Sequence, residues 1–168
     1  MEVAIGYHVE YALKVLIEAS WRGREHELKQ FRQPSEVKVD GLEKPFPITS
    51  RVDPMIFLNN YCTVKMGTAR RSGHTTALLS ATRLFTLPIV LFHNASMADL
   101  AIDSTCPKNE NARFLSFRQL NQARGLEYDA IMVDCSFLLG GKDMQEITSM
   151  CMATLPRFPG RFCLILVG

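Results

Sequence analysis

Three apolar runs constrain the fold of this chain more than any other feature of its sequence. They lie within residues 88–93, 128–134 and 161–168, and the first reads Pro-Ile-Val-Leu-Phe-His. Continuous runs of this kind are typical of strands buried on both faces in a parallel sheet. Parallel strands need crossover connections, and helix-forming stretches lie between the runs. The sequence therefore predicts an α/β fold with a mostly parallel central sheet. Strands are expected near 61–67, 88–93, 113–117, 128–134 and 161–167.

The N-terminal part of the chain differs from the rest in composition. Residues 3–20 place apolar side chains at helical spacing and predict an amphipathic helix. Residues 21–30 are strongly polar, and we interpret them either as the solvated end of that helix or as a contact surface for a partner. Residues 33–55 are rich in proline, which predicts a connecting loop with at most one short strand, at 36–39.

A chain of 168 residues fits one domain and is long enough to bury a real core. Further helical segments are expected at 75–85, 119–125 and 142–155. We therefore divide the chain into residues 1–55, an N-terminal helix and proline-rich connection packed on the core, and residues 56–168, the core itself.

Composition excludes several classes of protein. The five cysteines show no Cys-x-x-Cys spacing and lie mostly in apolar runs, which favours reduced thiols and a cytoplasmic location. The four histidines have no metal-ligand spacing among themselves or with the cysteines. We expect no signal peptide, since residues 1–5 carry no basic n-region. We expect no membrane contact, since no apolar run approaches the roughly 20 residues that span a bilayer. A net charge of +2 indicates no strong nucleic-acid patch.

A short loop connects the first core strand to a helix. Residues 66–76 read Met-Gly-Thr-Ala-Arg-Arg-Ser-Gly-His-Thr-Thr. Strand, loop and helix in this order point backbone N–H groups and a helix N-terminus at an anion. Gly73 lets the backbone approach a phosphate, and Thr75 stands where phosphate-binding loops place the hydroxyl that binds Mg²⁺. The alternative is a plain strand–turn–helix connection in which a threonine caps the helix.

Asp134 ends the strand predicted at 128–134. Ligands of open α/β sheets bind at the carboxyl ends of strands, and an aspartate there is the pattern that places a carboxylate beside Mg²⁺. The alternative is a buried strand followed by an ordinary turn aspartate. The loop and Asp134 together are more specific than either alone, so we expect residues 69–74 and Asp134 at the same edge of the sheet.

Together these motifs resemble the ATPase core of large terminase subunits, the viral DNA-packaging ATPases. Residues 69–76 are similar to the family's deviant Walker A motif, which often reads Arg-x-x-Gly-Lys-Thr/Ser. Residues 123–134 are similar to its Arg-Gly turn and the Walker B strand after it. Helicase-like ATPases share parts of this pattern. The resemblance covers roughly residues 56–168 and implies a three-layer P-loop NTPase-like fold, a role in DNA processing, and a viral protein of the host cytoplasm.

The resemblance also implies a site for ATP and Mg²⁺. Arg70 matches the family's arginine finger, which acts in cis on the γ-phosphate, and the implied catalytic residues are Arg70 and Asp134. Thr75 and Asp134 are the implied Mg²⁺ ligands. The implied nucleotide-binding residues are Ser72, Gly73, His74, Thr75 and Thr76.

Two positions depart from the family pattern. His74 replaces the phosphate-loop lysine, whose long stem and permanent charge reach the β- and γ-phosphates. Cys135 replaces the catalytic glutamate that follows the Walker B aspartate, and a thiol cannot act as a carboxylate base. Phosphoryl transfer depends on positioning and charge stabilisation, so both changes predict weak or absent hydrolysis.

Three interpretations follow. Retention of Gly73, Thr75 and Asp134 favours a terminase- or helicase-like domain that binds ATP with weak or no hydrolysis. His74 and Cys135 favour a pseudo-ATPase that acts as a protein-binding or regulatory module. A DNA-associated accessory domain has least support, since the net charge is low. The expected partners are a nucleotide, another protein and, on the third interpretation, DNA.

Overall fold

Five parallel strands form one sheet in the computed structural model, which describes residues 2–31, 53–68, 73–158 and 160–168 and, in the first helix, the side chains of residues 8–25. The strands are β1 (Thr63–Met66), β2 (Pro88–Phe92), β3 (Arg113–Ser116), β4 (Ala130–Val133) and β5 (Cys163–Val167). Their order across the sheet is β1-β5-β4-β2-β3, and every neighbouring pair is parallel. The α/β class, the parallel central sheet and the five strand positions are thereby confirmed.

Helices connect these strands within the described ranges. They are α1 (Glu2–Phe31), α2 (Pro54–Phe57), α3 (His74–Ala81), α4 (Ala95–Asp103) and α5 (Gly141–Thr154). The helical segments predicted at 75–85, 119–125 and 142–155 correspond to α3 with its 3-10 extension, to a 3-10 helix at Phe117–Ala123, and to α5. Among these described helices, none combines the length and the apolar character that a membrane span requires.

Helix α4 was not among the predicted segments. It begins at Asn94, whose side chain accepts a hydrogen bond from the backbone N–H of Met97 at 2.9 Å, an arrangement typical of a helix N-cap. Its buried face is formed by the small residues Ala98 and Ala101. Leu100 and Ile102 are exposed, so the large apolar residues of this helix do not lie on its buried face. The helical periodicity of apolar residues in the sequence is therefore weak.

The two faces of the sheet bury different helices. Along β2, Ile89 and Leu91 contact the cluster formed with α2, the 3-10 helix Phe117–Ala123 and α5, whereas Val90 and Phe92 contact the cluster formed with α1, α3 and α4. Side chains alternate between faces along a strand, so β2, β4 and β5 contribute residues to both clusters. The sheet is the middle of three layers, an arrangement compatible with a P-loop-like fold.

Helix α1 extends through the polar stretch at 21–30, and part of that stretch is buried. Arg24 is fully buried and donates to the carbonyl of Phe162 at 2.5 Å, just before β5. Trp21 donates through Nε1 to the carbonyl of Arg161 at 3.1 Å. The prediction of a solvated end or a partner surface was therefore wrong for these two residues, because backbone carbonyls of the same chain hold them. Arg22 on the other face is exposed, as predicted.

The connecting loop predicted at 33–55 gives way at its end to a short helix, α2, which begins at Pro54. Asp53 caps α2 by accepting from the N–H of Met55 at 2.7 Å, and Pro54 occupies the first helical position, where its missing N–H costs nothing. A π-helical turn at Leu58–Cys62 follows, and the strand starts only at Thr63. The strand predicted at 36–39 and most of the proline-rich loop lie outside the described residues.

Candidate functional site

The carboxyl ends of β1 and β4 are held at the same edge of the sheet. Beyond β1, the N–H of Gly168 donates to Met66 at 3.0 Å and the N–H of Thr68 donates to Gly168 at 2.7 Å, so the pairing with β5 continues past the strands. Beyond β4, the N–H of Asp134 donates to the carbonyl of Leu91 at 2.9 Å. The loop that follows β1 and the aspartate that follows β4 therefore flank the end of β5.

Gly73 marks the end of this loop and the start of α3. Its φ of 77° lies in the left-handed region that glycine adopts at little cost, and its carbonyl accepts the first helical hydrogen bond from Ala77 at 2.9 Å. Helix α3 thus begins at His74, and His74 and Thr75 occupy its first turn. Arg70 and Ser72 lie outside the described residues, so their proposed roles stay predictions.

Thr75 and Asp134 are in direct contact. Thr75 Oγ1 lies 3.3 Å from Oδ1 and 3.2 Å from Oδ2 of Asp134, although 59 residues separate the two along the chain. The side chain of Asp134 is only 1% exposed. The shared edge predicted for the end of the loop and the aspartate is confirmed by this contact.

His74 contacts the same carboxylate. Its Nε2 lies 3.3 Å from Asp134 Oδ1, and the imidazole is 17% exposed. Cys135 Sγ lies 3.8 Å from the same His74 nitrogen. His74 and Cys135, at which the sequence differs from the motifs that it resembles, therefore both lie within 4.8 Å of the Asp134 carboxylate.

Cys135 has an unusual backbone conformation. Its φ of 54° makes it the one non-glycine residue with positive φ in the described part of the chain. A 3-10 turn at Ser136–Leu138 starts there, with the N–H of Leu138 donating to the Cys135 carbonyl at 2.9 Å. Such conformations cost free energy in L-residues and are concentrated at functional sites. The chain therefore leaves the direction of β4 at Cys135, the residue that follows the buried Asp134.

Burial dominates the electrostatics of the site. It raises the pKa of Asp134 above the ordinary value of 3.8, while the nearby His74, the hydrogen bond from Thr75 and the more distant His93 each lower the pKa in part. Burial and the adjacent Asp134 carboxylate both raise the pKa of the Cys135 thiol. Neither group is therefore stabilised in its charged form by the protein alone.

Two further polar atoms are buried at this edge of the sheet. Thr68 Oγ1 follows β1 and His93 Nδ1 follows β2, and neither has a hydrogen-bond partner among the residues that the structure describes. Buried polar atoms without partners are uncommon, and an unobserved water or ligand is a frequent reason. Thr76, by contrast, has an exposed side chain, and its carbonyl accepts from the Cys106 thiol at 3.6 Å.

Sequence reasoning missed the proximity of His74 and Cys135. It found no metal-ligand spacing among histidines and cysteines, but these two residues are 61 positions apart and meet only through the strand order. One signal was available: His74 precedes the implied ligand Thr75, and Cys135 follows the implied ligand Asp134. Residues that flank two meeting positions are themselves expected to be close.

Chemically, the site offers two kinds of donor. The Thr75 hydroxyl and the Asp134 carboxylate are the oxygen ligands that Mg²⁺ prefers, and His74 and Cys135 add nitrogen and sulfur. No protein-family model, curated protein or solved structure matches this chain. Its function is therefore inferred from the site and from the motifs that form it.

Proposed function

We propose that this chain is a terminase- or helicase-like P-loop domain that binds ATP and hydrolyses it weakly or not at all. The observation that carries the proposal is the contact between the Thr75 hydroxyl and both carboxylate oxygens of Asp134. In P-loop NTPases the loop Ser/Thr and the Walker B aspartate are the two protein groups that hold Mg²⁺. A plain strand–turn–helix connection gives no reason for these two side chains to meet in a buried position.

The start of α3 supports binding of the phosphates. The first N–H groups of a helix lack partners within the helix and favour an anion, and the left-handed Gly73 leaves no Cβ beside them. The unpartnered buried atoms Thr68 Oγ1 and His93 Nδ1 support a polar ligand at the same edge. In this proposal Gly73, His74, Thr75 and Thr76 contact phosphate oxygens through their backbone N–H groups.

The residues present fit Mg²⁺ in part. Thr75 and Asp134 would hold the ion, with waters completing its shell, because Mg²⁺ prefers oxygen ligands and dehydrates reluctantly. When bound, the ion would supply positive charge that neutralises the phosphates. The His74 nitrogen 3.3 Å from Asp134 Oδ1 competes for the same carboxylate, so we expect Mg²⁺ to bind weakly.

Weak hydrolysis is proposed from the two substitutions. His74 is engaged with Asp134 and offers no long cationic stem to the γ-phosphate. Cys135 follows Asp134 but presents a thiol whose pKa is raised, so it supplies no base to orient the attacking water. Positioning and charge stabilisation are the main sources of phosphoryl-transfer catalysis, and both are reduced here.

Calorimetric titration with ATP and ADP, with and without Mg²⁺, tests the proposal. Thr75→Ala should abolish the Mg²⁺ dependence of ATP binding, since it removes one of the two oxygen ligands. Thr76→Ala is the matched control, because its side chain is exposed in the same helical turn and its backbone N–H is retained. Equal losses in both variants, or a wild-type titration without heat, would contradict nucleotide binding at this site.

The resemblance to terminases adds the proposal that nucleotide binding serves DNA processing in a virus. Fluorescence anisotropy of a labelled duplex, measured with and without ATP and Mg²⁺, tests this part separately. ATP-dependent DNA affinity is the expected result. If the affinity for DNA is the same with and without ATP, the proposed link between nucleotide binding and DNA is contradicted. The proposal of ATP binding itself is unaffected by that result.

A pseudo-ATPase that acts as a protein-binding module is the second candidate. It is favoured by an exposed apolar pair directly after the site, Phe137 at 65% and Leu138 at 49% exposure. Adjacent exposed apolar side chains are typical of contact surfaces. If millimolar ATP gives neither heat nor a thermal shift with the folded protein, this candidate replaces the first.

A further inference from the structure

Three different metal-binding side chains converge at the carboxyl ends of β1 and β4. His74, Asp134 and Cys135 each place a potential ligand atom within 4.8 Å of the other two. Asp134 is fully buried and the other two are partly buried, which separates the group from a solvated cluster of surface acids. Nitrogen, oxygen and sulfur donors together are a set that suits zinc and similar transition metals.

Two of the three donor–donor distances are close to the edges of a zinc coordination tetrahedron. Bond lengths of about 2.05 Å to nitrogen, 2.1 Å to oxygen and 2.3 Å to sulfur place tetrahedral N and O ligands about 3.4 Å apart, and N and S ligands about 3.6 Å apart. The corresponding distances here are 3.3 Å from His74 Nε2 to Asp134 Oδ1 and 3.8 Å from His74 Nε2 to Cys135 Sγ. The third distance, between the Asp134 carboxylate and Cys135 Sγ, is within 4.8 Å, and these two atoms would close on each other as a cation enters.

The geometry does not suit a nucleophile–base–acid relay. Such a relay needs the thiol on one ring nitrogen of the histidine and the carboxylate on the other. Here both Cys135 Sγ and Asp134 Oδ1 approach the same nitrogen, Nε2. Donors grouped around one histidine nitrogen fit a shared cation better than a proton relay.

The surroundings hold these donors in place. Thr75 Oγ1 donates to the Asp134 carboxylate, and the Asp134 N–H donates to Leu91, so the oxygen ligand has the outer hydrogen bonds that orient metal ligands. The positive φ of Cys135 turns the chain immediately after β4 and keeps the thiol beside the carboxylate. Strain of this kind at a non-glycine residue is commonly retained where a site needs it.

We propose that His74 Nε2, a carboxylate oxygen of Asp134 and Cys135 Sγ bind one thiophilic divalent cation, with Zn²⁺ as the physiological ion and water in the fourth position. Cys135 binds as the thiolate and gives its proton to solvent as the ion enters. Mg²⁺ is a poor competitor because it prefers oxygen ligands in an octahedral shell. The cation binds without nucleotide, so the inference does not rest on the proposed function, although Zn²⁺ and Mg²⁺ would compete for the shared Asp134 carboxylate.

Cobalt substitution tests the site on the untagged, metal-free full chain. Wild type should bind one equivalent of Co²⁺ with a thiolate-to-cobalt charge-transfer band, and Zn²⁺ should displace it whereas millimolar Mg²⁺ should not. Cys135→Ser should lose the band. His74→Asn should weaken Zn²⁺ binding at least about tenfold, because even outer-shell changes commonly cost 10–100-fold. Cys106→Ser and His8→Asn are the controls, since both residues lie outside the cluster.

A second measurement needs no variant. Zn²⁺ should slow alkylation of Cys135 in the wild-type protein and leave Cys106, which is also partly exposed, unchanged. The proposal is overturned if wild type shows no charge-transfer band, if the band persists in a folded Cys135→Ser protein, or if Zn²⁺ protects Cys106 instead of Cys135. None of these outcomes depends on ATP, so failure here is distinguishable from failure of nucleotide binding.

Discussion

His74 Nε2 and Cys135 Sγ lie 3.8 Å apart, and these are the two positions at which the sequence differs from the Walker motifs that it resembles. The same His74 nitrogen lies 3.3 Å from Asp134 Oδ1. Residues in contact rarely act independently, so substitutions at 74 and 135 should be coupled in their effects on binding and catalysis. His74 and Cys135 therefore belong to one site, and a substitution at either residue is expected to alter the effect of a substitution at the other.

His74→Lys should tighten ATP binding in the presence of Mg²⁺ by about ten- to a hundredfold. A lysine reaches the phosphates with a permanent charge, and a charged hydrogen bond is worth roughly 1.5–3 kcal/mol. Isothermal titration calorimetry measures the change. Thr76→Lys adds the same charge to an exposed position of the same helical turn and should change the affinity little. Equal tightening in both variants would show that net charge alone is responsible.

Wild-type protein should release little or no phosphate from ATP at neutral pH with Mg²⁺. The double variant His74→Lys with Cys135→Glu should be more active than the two single variants predict together, because groups that act as a unit are not additive. A phosphate-release assay on all four proteins checks this. Wild-type turnover on the order of 1 per second, abolished by Asp134→Ala, would show that both substitutions had been misinterpreted.

Asp134→Asn should stabilise the metal-free protein at pH 7. Burial raises the pKa of Asp134 in the folded state, so between the ordinary value of 3.8 and the raised value the folded protein holds a proton that the unfolded chain has released. Stability of the wild type therefore falls as the pH rises through that window and stays lower above it. The asparagine side chain does not ionise, so the variant does not lose stability as the pH rises through this window.

Thermal melts of both proteins from pH 4 to 8 measure the effect. A difference of about 1 kcal/mol would raise the melting temperature of the variant by about 2–4 °C at pH 7, and the difference should shrink toward pH 4. A variant that melts below the wild type at pH 7, or a difference independent of pH, would contradict the assignment of burial as the dominant effect on Asp134.

Arg24→Ala should destabilise the fold by at least about 1–3 kcal/mol. The substitution leaves the buried carbonyl of Phe162 without its donor and removes a side chain packed between α1 and β5. Urea denaturation gives the free energy of unfolding. Arg22→Ala, two positions away on the exposed face, should stay within about 0.5 kcal/mol of wild type. Similar losses in both would mean that the buried contact does not explain them, because alanine is the better helix former.

The strands could be predicted because their signal is local. All five residues of β2 and all five of β5 are buried, and each strand appears in the sequence as an unbroken apolar run. The contact of Thr75 with Asp134 could be anticipated for a related reason, since both residues follow strands of one parallel sheet.

The remainder depends on contacts between distant parts of the chain. The local sequence predicts a surface position for Arg24. Its guanidinium is buried because it donates a hydrogen bond to the carbonyl of Phe162, 138 positions away. The contact of His74 with Cys135 requires β5 to lie between β1 and β4, and no local pattern encodes that order. The helical segment before β1 was missed because Pro54 was taken as a break, whereas it occupies the first position of a helix.

The strand order has a kinetic consequence for the site. Thr63 of β1 pairs with Leu164 of β5, more than a hundred positions along the chain. The other edge of β5 pairs with β4. Contacts of such long range form slowly, because the intervening loop must lose its entropy before the pairing can compensate. Thr75 and Asp134 therefore cannot meet on the ribosome until β5 has been synthesised and inserted between their strands. Until that moment a nascent chain carries both motifs but has no site.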